Sequence, residues 1–186
     1  MEFQTERNVF IRENASGMYG AFSYFSSKFV MELPLLFIFP LLENVIIFWA
    51  VGYRSGSFFQ FLIVYVLTAQ IGNSIGYFIS SLFDNVMTAA QVTPFAIMPS
   101  VLFAGLIVNL STLPTWIAWF KWTSPTYFAC QALLWAQWPS DEYGIAGILD
   151  YNLDYNTCVI YLAAWTVVYK LATLMCLSLL TRSAFK

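Results

Sequence analysis

Four apolar runs dominate this chain: Met31–Tyr53, Phe58–Phe83, Val86–Val108 and Thr157–Leu180. A helix needs roughly 20 residues to cross ~30 Å of hydrocarbon, and each run is long enough. The rest of the chain cannot supply a water-facing surface to hide them. Only 10% of its residues are charged and 60% are hydrophobic, where a soluble domain carries about 25% charged residues. The sequence therefore predicts an integral, multi-pass membrane protein. A net charge of −2 offers nothing to a nucleic acid. Met1 to Lys28 is polar and mixed in charge, unlike a secretory signal peptide.

The runs are organised as hairpins. Gly52-Tyr53-Arg54-Ser55-Gly56 joins the first two, and Asp84-Asn85 joins the second and third. Pro34 and Pro40 lie in the first run, Pro94 and Pro99 in the third, where neighbouring helices must re-satisfy the carbonyls that each ring frees. With the N-terminus inside, the cytosolic side holds Arg7, Arg12, Lys28, Arg182 and Lys186, and the outer side holds Arg54 and Lys121. That excess of cations predicts cytosolic termini. Residues 111–156, with Asp141, Glu142, Asp150 and Asp154, are then an extracellular or lumenal loop. Residues 1–27 read by periodicity as a solvated interfacial helix, or as two short ones broken near Gly17 and Gly20.

The stretch Thr93–Trp122 joins an apolar helix, expected to run to Val108, to a polar turn at Asn109–Pro114 and then an aromatic segment. Trp116, Trp119 and Trp122 recur every three residues, so a helix carries them along one side. Tryptophan favours the lipid–water boundary, with its ring buried and its N–H wet. A short re-entrant or interfacial helix is expected there.

Few residues offer chemistry. Histidine is absent, which removes the usual Ser-His and metal-bound arrangements. Cys130, Cys158 and Cys176 are too scattered for a metal site; the first two share the outer side and could bridge in an oxidising lumen. No catalytic or metal-ligating set emerges. Glu43 and Lys170 are ionisable groups at membrane depth, a functional-site signature. At 1.5 Å per residue, Glu43 lies ~20 Å from the cytosolic entry and Lys170 ~20 Å from the outer one, so their depths differ by ~10 Å and they should not pair. Lys170 is expected to reach toward the cytosolic headgroups, and Glu43 to find a hydroxyl or amide or stay protonated. Gly72-x-x-x-Gly76 suggests close helix packing. Pro94, Met98, Val101 and Gly105 recur at four, three and four residues and form one helical stripe, for which packing is the ordinary explanation.

Several blocks carry a family resemblance. Glu6–Glu13 (ERNVFIRE), Ser16-Gly17-Met18-Tyr19, Tyr24, Lys28 and Glu32-Leu33-Pro34 resemble the intracellular segment of G-subfamily (white/pigment-type) ATP-binding cassette transporters. Phe103-Ala104-Gly105-Leu106-Ile107-Val108-Asn109 is similar to the end of that family's fifth helix, and Leu113-Pro114-Thr115-Trp116, Trp119 and Ser124-Pro125 follow in order. The resemblance implies an all-α polytopic transmembrane bundle, with a cytosolic coupling helix over 1–27 and a re-entrant helix within 111–156. It also implies that the four runs are the family's third to sixth helices, so that the chain covers the C-terminal two-thirds of a transmembrane domain.

Roles follow from the same resemblance. Glu6, Arg7, Phe10, Arg12 and Glu13 would dock on an ATPase domain, where mixed charge suits a contact that forms and re-forms. Pro94, Met98, Val101 and Gly105 would line a substrate pathway at the two-fold axis of a dimer. Leu106 and Ile107 would close it outward as an apolar neck, from which water withdraws without polar chemistry; a β-branched Ile107 departs from the commoner Leu-Leu pair. The chain has no G-x-x-x-x-G-K-[ST] phosphate loop. ATP and Mg are accordingly expected in a nucleotide-binding domain of the full-length protein and no cofactor in this chain. The expected partners are that domain, a second half-transporter, membrane lipid and a hydrophobic substrate. The expected function is the membrane part of an ATP-driven exporter of lipid-like or hydrophobic molecules. The alternative is a passive channel or membrane scaffold, which a continuous polar pore lining would favour.

Overall fold

The computed structural model describes residues 13, 16, 18, 20–53, 55–83, 85–108, 110, 113–138 and 151–184. Among them the regular structure is entirely helical: α1 Ala21–Val51, α2 Phe58–Leu82, α3 Val86–Leu102, α4 Thr115–Ala118, α5 Pro125–Gln137 and α6 Tyr155–Ala184. Short 3-10 turns lie at Ser55–Ser57 and Trp119–Thr123. The all-α bundle read from the sequence is the fold. Three stretches, Ser26–Val51, Phe58–Leu82 and Tyr155–Cys176, are long and apolar enough to cross a membrane.

Helix α2 is the centre of the bundle and packs on α6, α1, α5 and α3. Its Val64 and Ile71 meet Tyr127, Phe128 and Ala132 of α5 and Cys158 and Leu162 of α6 in the buried core. Helix α1 meets this core along a narrow stripe. Pro40, Asn44 and Phe48, four residues apart, are buried, as one face of a 3.6-residue helix requires. Asn44 donates to the Phe58 carbonyl at 3.2 Å, which satisfies a polar group that lipid could not. The helix ends where Gly52 turns left-handed at φ 72° and its N–H reaches the Phe48 carbonyl, a glycine C-cap.

Helix α3 differs from expectation. It has 17 residues and stops at Leu102, short of Val108. At 1.5 Å per residue it spans ~26 Å, less than a full hydrocarbon core. The chain then turns, with Phe103 N–H on the Pro99 carbonyl and Ala104 N–H on Val101, and Gly105 follows at φ 90°. A residue with a Cβ rarely adopts that conformation, so a continuous helix is excluded there.

The second difference is α5, which lies inside the stretch read as a loop. It buries Tyr127, Phe128, Ala129, Gln131, Ala132 and Ala136, and Phe128 stacks on Tyr161 of α6 at 4.8 Å. Ser124 caps its N-terminus and Pro125 opens it, a pairing suited to a helix start because proline lacks an N–H that would be orphaned anyway. Gly72 and Gly76 also behave differently: a Cβ on either would meet nothing within 4 Å. They face open space and make no close helix contact within the protomer.

Candidate functional site

The residues expected to line a pathway fall into two groups. Pro94, Met98 and Val101 lie on the face of α3 turned away from α2 and α5, and all three are exposed. Met87, Phe95 and Leu102 extend the same face, so α3 offers a mostly apolar stripe in which Gln91 is the amide. Gly105 leaves that stripe because the helix has already ended. It is buried, and a Cβ there would come within 3.0 Å of the Tyr151 ring and 3.1 Å of Leu110. Leu106 and Ile107 follow in the bend, 66% and 65% exposed.

The bend is held from behind. Tyr151, 1% exposed, donates its hydroxyl to the Ala104 carbonyl at 2.5 Å, occupying an acceptor that helix termination had freed. Ser124 secures the helix end just before it. Its hydroxyl donates to the Ser100 carbonyl at 2.7 Å and accepts the Tyr127 N–H at 3.3 Å. One side chain therefore closes the C-terminus of α3 and the N-terminus of α5 together. Ser100 Oγ adds contacts of 3.1 Å to Ser124 Oγ and 2.8 Å to Thr126 Oγ1. Leu106 and Ile107 are thus presented by anchors some distance away in sequence.

Behind Leu106 lies a cavity of about 240 Å³ at the junction of α1, α2 and α5. Cys130 lines it, and burial pushes its thiol up to about 11, with the Tyr151 hydroxyl pulling the other way. Burial likewise holds the Tyr151 phenol above the usual range. Cys130, Cys158 and Cys176 are all free thiols.

Lys170 and Glu32 are half-buried along the seam of α1, α2 and α6. Lys170 donates to Gln70 Oε1 at 3.1 Å and lies 3.7 Å from the centroid of the Phe29 ring. The ammonium therefore ends inside the bundle, toward the start of α1, where an amide and a ring face replace water. Glu43 is exposed on α1. The acid that finds amide and phenol partners is Glu32, which accepts from Asn73 at 2.9 Å and from Tyr77. Sequence reasoning quoted Glu32 only as part of a motif and missed this role.

Trp116, Trp119 and Trp122 are all exposed, on a segment that starts as α4 and tightens to 3-10 at Trp119. Lys121 lies about 6 Å from the Trp122 ring (5.9 Å) and the Tyr127 ring (6.0 Å). Of the coupling residues, Glu6, Arg7, Phe10 and Arg12 lie outside the described residues. Glu13 is helical, and its carbonyl accepts from Ser16 Oγ at 2.8 Å.

Residues 1–138 match the ABC-2 type transporter family. The chain belongs to that family. It is 36% identical over 158 residues to "Protein white" of Ceratitis capitata, covering 84% of this chain and 23% of that protein. It is 35% identical over 144 residues to "Protein white" of Drosophila melanogaster, covering 76% and 21%. To "ABC transporter G family member 1" of Dictyostelium discoideum it is 26% identical over 203 residues, covering 96% and 26%. The chain thus spans about a quarter of the length of these relatives. As an ABC-2 type chain with G-family relatives, it is an integral membrane part of a transporter and corresponds to part of the G-type transmembrane domain.

Proposed function

We propose that this chain forms the substrate-conducting part of an ATP-driven exporter for hydrophobic or amphipathic molecules. It works as one half of a dimer, with cytosolic termini. Glu6, Arg7, Phe10, Arg12 and Glu13 couple it to a nucleotide-binding domain that holds ATP and Mg. Pro94, Met98 and Val101 face the pathway, and Leu106 and Ile107 close it outward.

One observation carries this reading: the non-helical backbone of residues 103–108 directly continues a helix too short to cross the bilayer. An exposed apolar side chain on a membrane helix is no puzzle, since lipid tails cover it as well as leucine does. Irregular backbone is different. It is tolerated at membrane depth only where protein buries it or where it lines a water-filled cavity. Its carbonyl at Ala104 is satisfied by Tyr151, while Leu106 and Ile107 stay about two-thirds exposed on the protomer. A two-fold partner presenting the same bend supplies the missing cover, and the paired side chains form an apolar neck. Gln91 is a lone amide on an otherwise apolar face of α3, which argues against an open polar pore.

The test is the double variant Leu106→Ala/Ile107→Ala in the intact protein. Within one protomer both side chains are about two-thirds exposed, so truncation removes roughly 0.5–1 kcal/mol each of packing there by area burial, and the contact across the dimer is what the variant tests. The variant should keep its thermal stability while basal ATPase loses its response to substrate and leak rises. Normal stability with unchanged transport and leak refutes the gate.

A further inference from the structure

The cavity behind Leu106 is walled on one side by Cys130, Leu133, Leu134 and Gln137 of α5 and on the other mostly by rings. Five of its ten lining residues are aromatic: Tyr53, Phe61, Tyr65, Trp138 and Tyr151. Among the described lining residues none is a lysine or arginine. Tyr53 follows the C-cap of α1, Phe61 lies in the first turn of α2, and Trp138 caps the end of α5. The site therefore lies at the end of the bundle where α1 and α3 finish and α2 and α6 begin, level with a membrane surface.

We propose that this cavity binds an organic ammonium group, either the quaternary head of a lipid or a free amphipathic amine. A ring face attracts a cation through its quadrupole, by up to about 2 kcal/mol where water is excluded, and several rings around one space raise specificity for charge over shape. A quaternary ammonium suits such a wall because it has no N–H that the apolar lining would leave unpaired. Among the described lining residues rings are the commonest kind and none is cationic, so a ring-bound cation fits this wall better than an anion. Size agrees: a 150 Å³ apolar cavity holds benzene, so 240 Å³ accommodates about ten non-hydrogen atoms. Phenyltrimethylammonium is of that size. The site lies within one protomer, beside the stripe on α3 and not on it. Because Leu106 forms part of its wall, an occupant would press on the side chain next to Ile107.

The test uses the intact protein in nanodiscs, with radiolabelled phenyltrimethylammonium as probe and protein-free discs as blank. Choline and its uncharged isostere 3,3-dimethylbutan-1-ol serve as competitors. Charge recognition by rings predicts that choline displaces the probe at least about ten-fold more effectively. Equal competition by the alcohol, or no saturable probe binding, overturns the proposal without any mutation. Tyr65→Leu should weaken probe binding about ten-fold and Tyr65→Phe should not. Leucine matching phenylalanine in a folded protein removes the role of the rings. Discs of phosphatidylcholine and of the uncharged digalactosyl diacylglycerol identify the source. Weaker apparent binding in phosphatidylcholine marks the lipid head as occupant, and equal binding marks a free amine. Binding is measured without transport, so failure here leaves the pathway reading standing, and the reverse holds too.

Discussion

Gly105→Ala tests whether the bend after α3 is clamped by Tyr151. Two separate penalties meet at this residue. A left-handed backbone costs a residue with a Cβ about 1–2 kcal/mol, and Gly105 has φ 90°. The added methyl would also meet the Tyr151 ring carbon and hydroxyl at 3.0 Å and Leu110 at 3.1 Å, and forcing an extra carbon into a packed site costs about 1–3 kcal/mol. Gly52 provides a matched control. It is left-handed at φ 72° but has nothing within 4 Å of a built Cβ, so Gly52→Ala carries the backbone penalty alone. Gly105→Ala should therefore lose about 2–5 kcal/mol and Gly52→Ala about 1–2 kcal/mol. The assay is thermal unfolding of the intact protein in lipid at a fixed scan rate, because membrane-protein unfolding is commonly irreversible and its midpoint is rate-dependent. The backbone penalty appears in both variants, so the contact with Tyr151 is read as the gap between them. Equal losses for the two glycines refute the clamp.

Two further predictions follow from the same region. Ser124→Ala removes a helix cap and the cover of the Ser100 carbonyl together, and should lower stability by about 1–3 kcal/mol in the same melting assay. Cys130, with its thiol pushed up to about 11 by burial, should alkylate slowly at neutral pH and about ten times faster with each pH unit until that value. The thiol is kept neutral in the fold, so its contribution to stability is complete below its ordinary value of 9.0 and is lost as pH rises toward 11. Rapid labelling of Cys130 at pH 7, followed by mass spectrometry, contradicts that burial.

The spans were legible because roughly twenty apolar residues admit few other readings. The end of α3 was not, because Leu106-Ile107-Val108 continues the apolar run without a break in composition. The one mark of the turn is Gly105, and a glycine on a stripe of small and apolar residues reads equally well as packing. Its true constraint comes from Tyr151, a residue 46 positions later by subtraction of the two numbers. Helix α5 was hidden for a similar reason. Its buried aromatics look like loop aromatics, although Ser124-Pro125 is a legible start signal. Depth arithmetic correctly separated Lys170 from Glu43, but it could not supply Gln70, which lies 100 residues away in sequence. Of the stripe, Pro94, Met98 and Val101 share a free face, as periodicity required.

The apolar residues that would close a pathway and the polar residues that place them are different sets. Leu106 and Ile107 are about two-thirds exposed on their own protomer, so packing there does little to fix their position. Tyr151 holds the carbonyl two residues before Leu106, and Ser124 holds the helix end one turn earlier. Both anchors come from the stretch that connects α3 to α6, and α5 within it packs on α2 and α6. A shift of α6 against α2 would therefore move the anchors of the neck without touching its side chains. Interfaces between packed helices change by discrete repacking and not by smooth deformation, so such a neck has preferred positions. In the proposed pathway that separation would let a closing pair stay apolar, while the hydrogen bonds that set its place stay buried.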